Sequence, residues 1–356
     1  MKKIFVICIL LLYSLFSISC IKKTDKKEKI KVAFLYLNQV GDSGWTYAHE
    51  QGRLAIKDLD IVEKTIAIEN MNTTEKTEQA LKQFADQGYD LIFATSYEHA
   101  EAVFNVASNY PSIVFMHCRD SGLSYNVGSY IGRLYEANYL AGISAGYLTN
   151  SNKIGIVASE PIAEVVRNIN SYARGIANVN QNARLYVKWT NSWDDPIEES
   201  KAVDALVKNG CDIILQNLDT ANVQIEAAKH NVLSIGFNCD MSNYAPNTHI
   251  TAPVWNWAVL YDEVIKQVYN KTWQSEAVDW GLKSGLVGLS PFNEFVTDDI
   301  KQYIERRKQE LQVGVINVFE GPITDNKGKL RLKAMEVIDK DDLLHMDWFV
   351  DNVIEY

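Results

Sequence analysis

KVAFLYLNQVGDSGWTYAHEQGR, residues 31–53, decides the fold. Its first part is a short apolar run rich in β-formers, and its last part carries a helical pattern. A loop with Gly41 and Gly44 joins them, and these two glycines allow a tight turn with close backbone approach. Ser43 or Thr46 can cap the helix, and Asp42 suits its N-terminal dipole. No GKS or GKT follows, so this is not a Walker loop, and GxGxxG is missing, so it is not a dinucleotide fingerprint. Trp45 sits where an exposed ring faces the space beyond the strand. The competing reading is a capped βα turn with Trp45 packed inward.

Outward from this unit the alternation continues. Strands are predicted over 65–68, 91–94 and 113–117, with a fifth over 126–129, and helices over 46–59, 72–87 and 99–108. Gly88 and Gly210 mark helix ends. The pattern restarts with a long helix at 133–148. Strands follow at 153–158, 185–189, 212–215 and 233–236, with helices at 161–177, 197–209 and 221–230. A strand over 249–254, helices over 257–269 and 297–311, a short apolar piece at 285–289 and a turn-rich stretch at 317–329 close the series. Strands spaced by helical stretches imply βαβ units and parallel sheets. Two such runs imply an α/β protein of two lobes with a cleft between them. The expected division is 30–128 plus about 251–284 for the N-terminal lobe, and 129–250 plus about 285–356 for the C-terminal lobe. Ligands of open α/β sheets bind beyond the carboxyl ends of the strands, so residues there weigh most.

The chain has 356 residues, 47% of them hydrophobic and 22% charged, the balance of a soluble globular protein. A net charge of −10 argues against binding nucleic acid, which needs a basic surface. Lys2 and Lys3, an apolar run from Ile4 to Ile18, and Ser19 before Cys20 describe a secretory signal over 1–19. The run is shorter than the roughly 20 residues of a spanning helix. Cys20 after Ser19 resembles a bacterial lipobox, although Ser17 stands where Leu is usual. Cys20 would then be acylated and become the new N-terminus. That places the protein in the cell envelope, anchored to a membrane and facing the periplasm or exterior. The Lys-rich stretch 20–29 reads as a solvated tether. Cys118, Cys211 and Cys239 are odd in number and lack CxxC spacing, so they indicate neither a disulfide framework nor zinc.

Several strand ends carry polar or aromatic residues. In the second run, Trp189 leads into Thr190-Asn191-Ser192-Trp193-Asp194-Asp195-Pro196. Trp193 thus matches Trp45 on the opposite lobe, and two facing indoles can sandwich a flat ring. Asp195 is either a ligand contact or the cap of the next helix. Ser96 and Tyr97 follow the third strand and His117 ends the fourth, while Asn217, Asp219, Gly236, Asn238 and Asp240 follow later strands. Asn and Asp side chains can read the donor and acceptor edges of a heterocycle. His117 is a general base, a core histidine or, as we prefer, a ligand contact. Trp255 and Trp257 lie near a lobe crossing and either line the cleft or wedge the hinge.

Enzyme signatures are missing. The six His form no HExxH and no paired metal spacing, and no GxSxG elbow occurs. Neither a catalytic residue, a metal nor a cofactor is expected. Glu160 and Glu164 near Arg167 read as a helix-surface ion network rather than an acid/base pair. A nucleoside hydrolase would need convergent acids or a metal site. A sensor or adhesin built on the same fold is the stronger alternative.

The stretch from Val40 to Arg53 resembles the opening motif of the basic membrane protein family of ABC-transporter substrate-binding lipoproteins. The likeness continues through Leu91 to Ser96, Arg133 to Glu136, Leu140 to Gly142, Ile154 and Gly155, the Pro161 to Asn170 helix, Asn191 to Pro196, Gly236 to Ser242 and Met346 to Trp348. It implies the type I periplasmic-binding fold, a purine base or nucleoside as ligand, and ABC permease and ATPase subunits as partners. The two rings that hold the base in nucleoside binders map onto Trp45 and Trp193. Nucleoside binders tend to carry Asp where His117 stands, and a ribose-contacting Lys or Asp falls near Trp255 or Asn256. Those departures imply a free base such as adenine in preference to a nucleoside.

Overall fold

The computed structural model describes residues 28–119 and 122–356. The expected signal segment, Cys20 and most of the tether lie outside the described residues.

Two parallel sheets organise the chain. The first has six strands. In chain order they are β1 (Ile30–Leu35), β2 (Val62–Ile68), β3 (Leu91–Ala94), β4 (Val114–Cys118), β5 (Val127–Gly132) and β11 (Ala277–Trp280). Across the sheet they run β11-β5-β4-β3-β1-β2. β3 is buried at every residue and β1 at all but one, as strands covered on both faces must be. Helices α1 (Gly44–Ile56), α2 (Thr74–Asp86) and α3 (Ala100–Ala107) follow β1, β2 and β3. Thr73 caps α2 by accepting the Lys76 N–H, and Gly88 beyond its end has φ +71°.

The second sheet has five strands, β6 (Lys153–Ala158), β7 (Arg184–Trp189), β8 (Ile213–Asn217), β9 (Leu233–Ile235) and β15 (Val353–Glu355), ordered β15-β7-β6-β8-β9. Its helices include α4 (Leu134–Leu148), α5 (Ala163–Val179), α6 (Pro196–Lys208) and α7 (Asn222–Lys229). α4 and α5 touch backbone to backbone. A Cβ at Gly142 would overlap the Tyr172 carbonyl oxygen, and one at Gly175 that of Tyr139.

The chain passes between the halves after β5, where β10 (Pro253–Trp255) leads to α8 (Trp257–Asn270), and between β11 and β12 (Val287–Leu289). β10 and β12 pair with each other, antiparallel, and join neither large sheet, as do β13 (Ile323–Thr324) and β14 (Leu330–Leu332). α8 lies against α1 in the first half. Its Tyr261 ring sits 4.9 Å from that of Phe34 and 4.5 Å from that of Phe93.

Three features differ from the sequence reading. β5 stays in the first sheet as far as Gly132, because Ser129, Tyr130, Ile131 and Gly132 pair with β11. The passage to the second half therefore falls after 132 and not at 129. The strand expected over 249–254 shrinks to the crossing strand β10. Finally, β11 and β15 add an edge strand to each sheet from late in the chain. Among the described residues no helix is long and apolar enough to cross a membrane.

Candidate functional site: a cavity between the sheets

The strand order reverses beside β1 in the first sheet and beside β6 in the second. Reversal points open a crevice at the carboxyl ends of the strands. A cavity of about 70 Å³ lies there, with walls from both halves. The first half contributes Trp45 from the first turn of α1, Tyr97 after β3, Cys118 at the end of β4, and Ile131 and Gly132 of β5. The second contributes Glu164, Arg167 and Asn168 from the first turns of α5, which follows β6, with Leu134 and Tyr135 of α4. Trp255 of the crossing strand β10 completes it.

Trp45 is half-buried and held in place. Its Nε1 donates to the Thr95 carbonyl at 2.8 Å. Its ring meets His49 edge-on at 4.6 Å, and Trp255 and Trp257 each at 5.6 Å. Trp255 stacks on Trp257 at 4.6 Å, and Trp257 on His49 at 4.4 Å. Burial lowers the pKa of His49 well below its ordinary value, so this aromatic wall is uncharged.

The facing wall is polar. Residues 164, 167 and 168 share one face of α5, as i, i+3 and i+4 positions do. Glu164 is exposed and offers acceptors. Arg167 is only 8% exposed, donates from Nη1 to the Leu343 carbonyl at 3.1 Å, and has a buried Nε without a hydrogen-bond partner. Asn168 is 3% exposed and carries both a donor and an acceptor. The surface ion network expected for these residues does not form, because α5 enters the gap between the sheets and turns Arg167 inward. None of the three stood among the expected ligand contacts, although the helix that carries them lies within the family likeness. The signal was their spacing on a helix that follows a strand, which had been weighed as solvated surface.

The expected site residues fall into three groups. Trp45, Tyr97 and Trp255 line the cavity. Tyr97 is further fixed by Arg119, whose Nη2 donates to its hydroxyl at 2.5 Å and whose guanidinium lies 4.0 Å from its ring.

A second group bridges the halves beside the cavity. Asp219 Oδ1 accepts the Trp45 N–H and Asn238 Nδ2, each at 3.0 Å, and Asn238 Oδ1 accepts Trp255 Nε1 at 2.9 Å. Gly44, at φ +83°, has no room for a Cβ, which would overlap the Asp219 backbone. The Asp42 carbonyl accepts the Tyr244 hydroxyl at 3.2 Å. Burial raises the Asp219 pKa to about 6, against the lowering effect of its two hydrogen bonds. Asp219 keeps some accessible surface, but its carboxylate is enclosed by neighbouring atoms.

The third group lies off the cavity wall. Trp193 is half-buried against the apolar core, and its carbonyl accepts the Asp219 N–H at 3.0 Å. It is not among the residues that line the cavity. The second indole there is Trp255, set at 89° to the first. Asp195 caps α6 by accepting the Ile197 and Glu198 N–H groups. Ser96 likewise caps the 3-10 turn Tyr97–His99. His117 is buried, with Nε2 2.8 Å from the Gly122 carbonyl and its ring 5.5 Å from that of Phe104. Asn217 is buried at the end of β8, Gly236 packs against Ala252, His249 and Met241, and exposed Asp240 accepts the Ser242 N–H.

A larger cavity of about 660 Å³ lies at the opposite, amino ends of the second-sheet strands. Arg174, Arg184 and Arg307 line it, but so do Glu320 and Asp351, and Arg307 is paired with Glu310 at 2.6 Å. All of its walls come from one half, so closure of the two halves cannot act on it. Among the described residues no group of three or more His, Cys, Asp or Glu is placed to hold a metal ion.

Two parallel α/β halves, three chain crossings and a cavity at both reversal points define the type I periplasmic-binding fold. A solved ABC transporter solute-binding protein from Conexibacter woesei matches it with a TM-score of 0.73 at 20% identity, over 81% of this chain and 98% of that one. Residues 29–319 match the family described as ABC transporter substrate-binding protein PnrA-like, and the chain belongs to that family. It is 37% identical over 330 residues to a purine-binding protein of Brucella abortus, covering 92% of this chain and 93% of the relative. It is 31% identical to a Haloferax volcanii protein named as an ABC transporter glucose-binding protein, over 83% of this chain and 75% of that one. The family is one of extracytoplasmic solute-binding proteins, which implies a small-molecule ligand and ABC permease and ATPase partners.

Proposed function

We propose that this protein captures a purine base, adenine-like and without its ribose, between its two halves and hands it to an ABC importer. The observation that carries the reading is the pairing of walls. An aromatic surface of Trp45 and Trp255 stands on one side, and Glu164, Arg167 and Asn168 on the other. A flat nitrogen heterocycle needs both, a π surface for its face and mixed donors and acceptors for its edge. The Brucella abortus relative named as purine-binding supports the same ligand class.

Size supports the base over the nucleoside. The cavity is small, about 70 Å³. A base would part the halves less than a base with its sugar. Binding then favours the closed form through contacts made only there. The two halves act as lobes that exchange between open and closed, with Cys20 as the lipid anchor.

Isothermal titration of ligand-free protein with adenine, hypoxanthine, adenosine and glucose tests this. Adenine is expected to bind and adenosine to bind at least tenfold more weakly. Glucose binding without purine binding would replace the reading with that of the sugar-named relative. Tighter binding of adenosine would remove the preference for the free base.

A further inference from the structure

Asp219 reaches across the gap and does for α1 what its own chain does not. Ser43, at the N-cap of α1, makes no side-chain cap bond. The first N–H groups of a helix need acceptors from elsewhere. Asp219, beyond β8 in the other half, supplies one, because its Oδ1 accepts the Trp45 N–H at 3.0 Å. Its backbone carbonyl also accepts Ser43 Oγ at 3.3 Å. A carboxylate at this position further suits the helix dipole.

The same Oδ1 accepts Asn238 Nδ2, and Asn238 turns its other amide atom to Trp255 Nε1. An unbroken path of hydrogen bonds thus runs from the Trp45 backbone through Asp219 and Asn238 to the Trp255 indole. It begins and ends on the two tryptophans of the cavity wall. Asn238 holds φ +67°, in the left-handed region where Asn is tolerated, so its side chain is presented from a constrained backbone.

We propose that Asp219 and Asn238 are positioning residues that latch the closed form, capping α1 across the gap while fixing Trp255 in the cavity wall. The latch needs no ligand. Its coupling to ligand binding rests on reading the cavity as the ligand site.

Small-angle scattering of the ligand-free protein tests the latch apart from the ligand. Asp219→Ala should shift the profile to a larger radius of gyration, with the far-UV spectrum and cooperative melting retained. Asp219→Asn keeps an acceptor at Oδ1 and should return the wild-type profile. Asn238→Ala, which frees Trp255 Nε1, should change Trp fluorescence in the absence of ligand. In a separate titration, adenine affinity should fall about tenfold in Asp219→Ala, as expected when the binding-competent state is depopulated to that extent. A folded Asp219→Ala variant that scatters like wild type would overturn the latch. If adenine binds no variant and not the wild type either, while the scattering shift is present, the ligand reading fails and the latch stands.

Discussion

Replacing Trp45 by Ala separates the cavity's role from its contribution to folding. The side chain is half-buried, makes one hydrogen bond to the Thr95 carbonyl and meets three aromatic rings edge-on. Truncating a fully buried Trp costs about 3–5 kcal/mol, so the half-buried Trp45 should cost about 2–3 kcal/mol of stability. The hydrogen bond accounts for about 1 kcal/mol of that. If the ligand stacks on Trp45, the variant also loses about 2 kcal/mol of binding, roughly a 30-fold rise in Kd. Trp45→Phe keeps a ring but loses the N–H. It should give back most of the affinity while staying less stable than wild type. Titration calorimetry with adenine and urea unfolding, run on the same three proteins, resolve the two effects. A Trp45→Ala variant that is folded and binds adenine with unchanged Kd would refute the stacking argument.

Arg167→Gln removes a cavity-lining guanidinium with an unpartnered Nε, and should weaken adenine binding about tenfold or more; losing its bond to the Leu343 carbonyl should cost about 1–3 kcal/mol of stability, checked by calorimetry and thermal melting. Gly44→Ala should hinder closure, since its Cβ would overlap the Asp219 carbonyl at a backbone φ of +83°. Scattering of the variant in saturating adenine should show a larger radius of gyration than wild type. Gly175→Val forces α5 away from the Tyr139 carbonyl and should cost about 3 kcal/mol, the upper end for overpacking, read by urea unfolding. Asp219 titrates at its ordinary value of 3.8 in the unfolded chain but at about 6 in the fold, where burial and the nearby acids Asp194 and Glu164 hold the proton on. Between those values the folded state keeps a proton that the unfolded chain releases. This contribution is greatest below pH ~4, is lost as pH rises to ~6, and amounts to about 2–3 kcal/mol. Urea titrations at pH 4.5 and 7 should show the drop in wild type and a smaller one in Asp219→Asn.

The fold was legible wherever an apolar run met a helical pattern. β1 with α1 is the plainest case, because a buried parallel strand must be apolar on both faces and the helix after it must show period 3.6. β11 and β15 escaped for the converse reason. They are short edge strands whose partners, β5 and β7, lie far away in sequence, and their pairing comes from tertiary contact. The candidate site was legible by half. Trp45 stood out as a large ring at the start of the helix that follows β1. Trp193 occupies the same local context, but the Asp195 cap and the Asp219–Trp193 backbone bond settle its loop against the second half. A motif fixes local geometry, whereas the direction of a half-buried ring depends on what packs behind it. Asp219 and Asn238 were correctly placed at strand ends, but their polar atoms are spent on each other and on the two tryptophans.

Strand order explains which residues reach the cavity. In each sheet one strand stands at the reversal, β1 in the first and β6 in the second, and the segment after it enters the gap. After β1 the glycine-rich turn delivers an aromatic ring, and after β6 the first turns of α5 deliver Glu164, Arg167 and Asn168. A solute between them touches a surface of opposite character on each side, so neither half alone offers it a complete environment. Under the proposed function this asymmetry would make closure specific. A ligand with an apolar face but no hydrogen-bonding edge would leave Arg167 Nε buried and unpaired at a cost of about 1–3 kcal/mol, and a polar ligand without a flat face would waste the indole surface. Under the proposed function, a flat nitrogen heterocycle satisfies both halves at once, and so it would gain most from bringing them together.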